Sequence, residues 1–193
     1  LANPLHIVSR DAEAERTALQ GLAAWAGQFS SLLHLVEPQS LLLEIGGSLR
    51  LFHGFERLLH RIERGLSRLG YTAQTAVAPV KLAAVWLARA APGSRITEPS
   101  RLAGALSGLP LSVLELSTEQ RARLHGMGIA RIGDCRRLPR DGLAKRFGAA
   151  LVLQLDRAHG HHADPRTPFV PPERFAARIE LPGTVEHVEG LLF

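Results

Sequence analysis

The sequence predicts an α/β unit, a sheet with helices on one face, followed by a small all-α unit with helix-hairpin-helix-like turns and the opening strand of a further domain. Three observations carry that prediction. Apolar residues recur at helical spacing on either side of short apolar or alternating runs before Pro92-Gly93; β pattern all but disappears after it; and a proline-rich run at 164–173 sets residues 174–193 apart from the rest. At 193 residues the chain has room for one large domain, or for one domain and a smaller one.

The first helix is expected over residues 11–29, where Ala18, Leu22, Trp25 and Phe29 share a face and Asp11, Glu13 and Glu15 suit the N-terminal end of the dipole. Residues 32–36 and 41–45 are short apolar runs on either side of Glu37-Pro38-Gln39-Ser40. Pro38 bars a continuous strand, so a hairpin or an offset pair is expected. Between Phe55 and Leu69 the residues Phe55, Leu58, Leu59, Ile62, Leu66 and Leu69 form a helical stripe, with Arg57, Arg61, Glu63, Arg64 and Arg68 mainly on the other side and Gly70 as the stop. Residues 71–78 alternate and predict a third strand, and Pro79 opens a helix over 80–90. Short helices are then expected at 100–106, 118–125, 132–138 and 141–155. The run from Asp164 to Pro172 reads as a stiff extended linker rather than packed structure, and 174–181 as the first strand of another domain.

Composition narrows the class. Hydrophobic residues make up 46% and charged residues 21%, which is globular rather than disordered, and the 5% aromatic content leaves the core to aliphatic side chains. A single cysteine excludes an internal disulfide framework and any CxxC knuckle, and a reducing, cytosolic setting is the default expectation. No apolar run approaches the roughly 20 residues of a membrane span. Leu1-Ala2-Asn3-Pro4 lacks a start Met and a signal-peptide pattern, and Leu191-Leu192-Phe193 ends on an apolar run, so both ends read as cuts from a longer protein.

The net charge of +5 comes from 21 Arg and 2 Lys against 18 acids, and it is concentrated. Residues 121–146 hold Arg121, Arg123, Arg131, Arg136, Arg137, Arg140, Lys145 and Arg146 against Asp134 and Asp141, an excess of +6, which marks a candidate phosphate surface. Within it Gly126-Met127-Gly128-Ile129 precedes Arg131-Ile132-Gly133-Asp134. Such a glycine turn between two helices either lets backbone amides approach a DNA phosphate or serves only as a helix connection. His159-Gly160-His161-His162 with Asp164 has no recognised metal-ligand spacing and reads as an exposed loop, and Cys135 reads as core rather than nucleophile. No Asp-x-Asp or Asp-Glu pair occurs in the chain, although two-metal phosphoryl transfer needs closely placed carboxylates.

The segments 39–45 (Gln-Ser-Leu-Leu-Leu-Glu-Ile), 77–84 (Val-Ala-Pro-Val-Lys-Leu-Ala-Ala), Leu109-Pro110 and 124–134, in that order, resemble the Y-family DNA polymerases. Family members carry Ser-Ile-Asp-Glu-Ala-Tyr-Leu-Asp on a palm strand, Gly-Ile-x-x-Asn-Lys-x-x-Ala-Lys at a palm helix, and Leu-Gly-Ile-x-Thr-Ile-Gly-Asp-Leu in the thumb. The resemblance places Gln39 and Ser40 where the catalytic Asp and Glu stand, Ala91 where a Lys contacts the incoming triphosphate, and Lys81 on the Lys of the Asn-Lys pair, with Val80 replacing its Asn. The family's Gly-Ile-Gly hairpin falls on Glu115-Leu116-Ser117, and Ser117 with Gln120 has the form of a helix capping box.

Fold retained and acids replaced, the pattern is similar to the catalytically degenerate, ImuB-like branch of that family. The resemblance implies a palm at 1–94 lacking its first strand and fingers, a thumb at 95–163, a linker at 164–173 and the start of a little finger at 174–193. It further implies a non-catalytic, DNA-binding adaptor in SOS-induced translesion synthesis and mutagenesis. Its DNA-binding residues would be Ser117, Arg121, Arg131, Arg136, Arg137, Arg140 and Lys145, and Lys81 would face nucleotide. Implied partners are primer-template DNA, the sliding clamp, an ImuA-like protein and an error-prone DnaE-type polymerase, mostly through segments outside this chain. No cofactor is implied. Mg²⁺ belongs only to the alternative of an active error-prone polymerase using Glu44; the third alternative is a protein-interaction domain that never touches DNA.

Overall fold

The computed structural model describes residues 9–172. The expected strand at 174–181 lies outside the described residues. Helix α1 (Ala12–Ala26) starts where Asp11 accepts hydrogen bonds from the amides of Glu13 (3.1 Å) and Ala14 (2.9 Å), satisfying donors that a helix start leaves open. Strands β1 (Leu33–Val36) and β2 (Ser40–Leu43) form the expected antiparallel hairpin, with Leu33 opposite Leu43 and Val36 opposite Ser40. Buried Ser30 pins its base, donating to the Glu44 carbonyl and accepting from the Leu32 amide.

Helix α2 (Phe55–Arg68) buries Leu58, Leu59 and Ile62. With Phe29 and Phe52, Leu58 and Ile62 make a small core against which Trp25, Leu43, Ile45, Leu49 and Leu66 pack. Gly65 permits the approach of α1, because a Cβ there would meet the Trp25 ring inside van der Waals contact. Gly65→Ala should therefore lower the chain's stability by about 1–3 kcal/mol through overpacking, although alanine is the better helix former. A urea midpoint at or above the parent's would refute that reading.

Two expectations fail here for identifiable reasons. Residues 71–78 are not a strand: Val77 makes an isolated parallel bridge with Arg95 through bonds from its amide to Ser94 and to its carbonyl from Ile96. The alternation is present, but no neighbouring strand among the described residues runs alongside it, so the sheet described has two strands. The predicted helix at 141–155 is in fact α7 (Arg140–Phe147) and α8 (Ala149–His159), split at Gly148, whose φ of 91° glycine adopts readily.

Helix α3 (Lys81–Ala90) packs on β2 and also buries Ala83, Trp86 and Leu87 in the larger core. That core continues through α4 (Pro99–Ser107), the turn at Leu111–Val113, α5 (Thr118–Gly126), α6 (Ile132–Cys135), α7 and α8. Helix α6 is shorter than the predicted 132–138. Cys135 is 1% exposed, and burial pushes its thiol up to about 11, in keeping with a core role.

Beyond α8 the proline-rich run has no helix or strand and is mostly exposed, but two contacts tie it to β1. The Phe169 amide donates to the Leu33 carbonyl at 2.7 Å, and the ring Nδ1 of buried His34 lies 3.0 Å from the Thr167 carbonyl. The run thus covers part of the β1 edge, where unpaired backbone groups invite a partner.

Candidate nucleic-acid interface

The hairpin tip holds the positions at which the family resemblance locates catalytic carboxylates. Gln39 is exposed in the turn, and Ser40 is the first residue of β2. Both are neutral, so neither fits a site for Mg²⁺, which takes anionic oxygens. Glu37, in the same turn, reaches Arg16 at 3.8 Å. Glu44 does not fill the gap: its Oε1 accepts from the Gly46 amide at 2.7 Å and its Oε2 from the Gly47 amide at 3.4 Å, capping the turn that follows β2. Among the described residues no three His, Cys, Asp or Glu side chains gather as a metal site. His159, expected in an exposed loop, is instead the half-buried last residue of α8, with its ring Nδ1 2.7 Å from the Leu155 carbonyl and its ring stacked on His161; only His161 and His162 lie in the exposed turn that follows.

Ala91 closes α3 with its amide on the Leu87 carbonyl, and its methyl offers nothing to a triphosphate. Lys81 is exposed in the first turn of α3, beside an open cleft whose other wall is His162, Ala163, Asp164 and Pro165.

The glycine turn between α5 and α6 forms as the sequence suggests, with Gly128 at φ 77°. Its amides, however, are already used. Met127, Gly128 and Ile129 donate to carbonyls at the end of α5, and the Asp134 carboxylate accepts from Ala130 (3.2 Å) and Arg131 (3.0 Å). Those two amides hold the Asp134 carboxyl below the usual range. The amides of residues 127–131 are therefore all taken, and side chains are the first candidates for any grip on DNA.

The predicted basic residues separate into committed and free. Arg140 makes a two-pronged ion pair with Asp156, Nη1 to Oδ1 at 2.8 Å. Arg131 donates to the Gly108 carbonyl at 3.3 Å, and Arg123 lies over the Phe147 ring at 5.3 Å. Arg121 is half-buried with its Nε unpartnered. Ser117 is occupied as the cap of α5, accepting from the Gln120 amide at 3.1 Å while Gln120 accepts from its own amide. Arg136, Arg137 and Lys145 are exposed, with Arg137 reaching Asp134 only at 3.8 Å.

Arg136 and Arg140 border a concavity whose other walls include His159 and His161. Sequence reasoning did not join these histidines to the arginines, because α7 and the α8 helix lie between them. Burial lowers the His159 pKa, with the Arg136 charge acting the same way and the bond to the Leu155 carbonyl opposing both.

The Arg140 guanidinium holds the Asp156 carboxyl below its ordinary value. A carboxyl depressed in the folded state contributes stability above its unfolded pKa, near 4, and that stability is lost as pH falls through the folded value. Asp156→Asn should therefore be less stable than the parent at pH 7, and the gap should close as the solution is acidified below about pH 4. A gap independent of pH would sink this assignment.

No protein-family model matches the chain. It is 36% identical over 160 residues to Protein ImuB of Caulobacter vibrioides, in two strains, the match covering 83% of this chain and 35% of each relative. The chain thus matches about a third of the length of these curated relatives. Among solved structures it resembles DinB from Sulfolobus solfataricus (TM-score 0.62, 18% identity, 77% of this chain and 46% of that one). An insertion ternary complex of Dbh DNA polymerase aligns with a TM-score of 0.61 at 18% identity, over 77% of this chain and 45% of that one. The hairpin with Gln39 and Ser40 at its tip, the helical unit that follows it and these likenesses agree, and the chain belongs to the Y-family DNA polymerase superfamily, in its ImuB-like branch.

Proposed function

We propose that the chain is the palm and thumb of a non-catalytic Y-family polymerase homologue that holds DNA and serves as an adaptor in damage-induced translesion synthesis. The observation that carries this reading is the hairpin tip, where Gln39 and Ser40 stand in place of carboxylates while Glu44 is tied to two backbone amides. On this reading residues 1–94 are palm and 95–163 thumb, 164–173 link to a little finger beginning at 174, and Arg136, Arg137 and Lys145 supply the free charge for phosphates. The sliding clamp, an ImuA-like protein and an error-prone DnaE-type polymerase are its proposed partners, chiefly through segments outside this chain. Its proposed setting is the bacterial cytoplasm; no helix among the described residues is long and apolar enough to cross a membrane.

Anisotropy titration with labelled primer-template DNA at two salt concentrations tests the DNA arm. Binding that weakens steeply with salt and shows little sequence preference is expected, since phosphates dominate such contacts. Absent or salt-insensitive binding would instead favour the protein-interaction alternative. Primer extension with Mg²⁺ tests the catalytic arm: no synthesis is expected, and synthesis abolished by Glu44→Gln would establish the active-polymerase alternative.

A further inference from the structure

Helix α2 carries a row of arginines that the polymerase resemblance leaves without a role. Arg57, Arg61, Arg64 and Arg68 are spaced by four, three and four residues, which places them within about 60° of arc along about 16 Å of helix. All four are exposed. Among the described residues none forms an ion pair or a side-chain hydrogen bond. Arg61 lies over the Phe52 ring at 5.6 Å.

The acids of α2 do not relieve this charge. Glu56 and Glu63 stand three or four residues from none of the arginines, and Glu63 is bonded to Arg95 (3.0 Å) and Thr75 (2.7 Å). Like charges at such spacings destabilise a helix, so three successive arginine pairs work against α2 unless something acidic lies across them.

The chemistry of that counterpart follows from the flank. Glu56 and Glu63 lie on one flank, about 110° and 130° round the helix from the middle of the row, so the basic surface is a narrow strip rather than a broad face. A single helix, about 10–12 Å across, fits on the arginines alone. Arginine's planar fork takes a carboxylate through two parallel bonds. This chain does not supply the counterpart itself: residues 1–8 contain no acid, and Glu173, Glu180, Glu186 and Glu189 do not repeat the spacing.

We propose that the exposed face of α2 docks an acidic helix of a partner protein, with carboxylates at i, i+4, i+7 and i+11 laid along Arg57, Arg61, Arg64 and Arg68. The spacing is the same read in either direction, so parallel and antiparallel helices both match. This inference rests on neither DNA binding nor the loss of catalysis.

The test uses the 193-residue chain and a labelled synthetic helix of about 18 residues with Glu at those positions in an Ala/Gln background. A control peptide of equal composition has its Glu residues spread around the helix. The spaced peptide should bind at least about tenfold more tightly than the control. The triple change Arg57→Gln, Arg64→Gln and Arg68→Gln should remove that preference while leaving primer-template affinity unchanged. Arg61 is kept for its contact with Phe52, and glutamine preserves helix propensity.

Equal affinity for the two peptides, or a preference that survives the triple change, would overturn the proposal. So would a fall in DNA affinity with the peptide preference intact, which would make the row a nucleic-acid surface. If the triple variant loses its circular-dichroism helicity, Arg64→Glu against a peptide with Lys at the facing position replaces it. Restored affinity is then expected, and its absence overturns the pairing.

Discussion

Trp86→Ala is expected to destabilise the chain by about 3–5 kcal/mol, a large part of the 5–15 kcal/mol that typically separates folded from unfolded domains. Trp86 is 1% exposed and heads the largest fully buried side chains. It sits on α3, which packs on β2 and contributes to the core shared with α4 through α8. Removing the indole leaves a cavity in that larger core, on the helix that also packs on β2. Urea unfolding followed by circular dichroism measures it, with Tyr71→Ala as the comparison because Tyr71 is 40% exposed. The comparison variant should fall within about 0.5 kcal/mol of the parent. A Trp86→Ala loss below about 1 kcal/mol would mean that the indole is not a principal support of the helical core.

The elements that could be read from sequence are those specified locally. Asp11 and Ser117 announce helix starts because their side chains satisfy amides two or three residues on, and Pro38 between two apolar runs forces the hairpin. Residues 71–78 show what local pattern leaves out. Alternation states that a segment suits a strand, but a strand also needs a partner, and only Val77 finds one in the loop at Ser94 to Ile96. Gly148 was readable as a tolerated helix glycine; its φ of 91° is set by how α7 and α8 fold back on each other. The packing of the proline-rich run on β1 was equally hidden, since His34 and Thr167 lie far apart in sequence.

The candidate site divides in the same way. The replacement of carboxylates by Gln39 and Ser40 is a matter of residue identity and is fully legible once the family motif is aligned. Which arginines are free is not legible, because it depends on partners from other elements. Arg140 looks like its neighbours in sequence and is bound to Asp156 across the α7–α8 pair, while the glycine-turn amides are taken by Asp134, Arg123, Leu124 and His125.

That distinction yields the second large effect. Changing Arg136 and Arg137 together to Ala should weaken primer-template binding at low salt and reduce the slope of log K against log salt by about 1.8, since each phosphate contact contributes about 0.9. Both side chains are exposed, and the carboxylates near them are held by other groups, Asp134 by backbone amides and Asp156 by Arg140, so the change should leave thermal stability close to the parent's. Arg140→Ala is the contrasting variant. Its guanidinium is engaged by Asp156, so its removal leaves that carboxylate without its two bonds and should lower the melting temperature with little change in salt slope. If the three arginines acted only as a diffuse positive field, Arg140→Ala would lower binding as much per charge as the double variant does. Equal slopes for the parent and the double variant would remove Arg136 and Arg137 from the interface and leave the exposed Lys145 and Arg146 to be tested next.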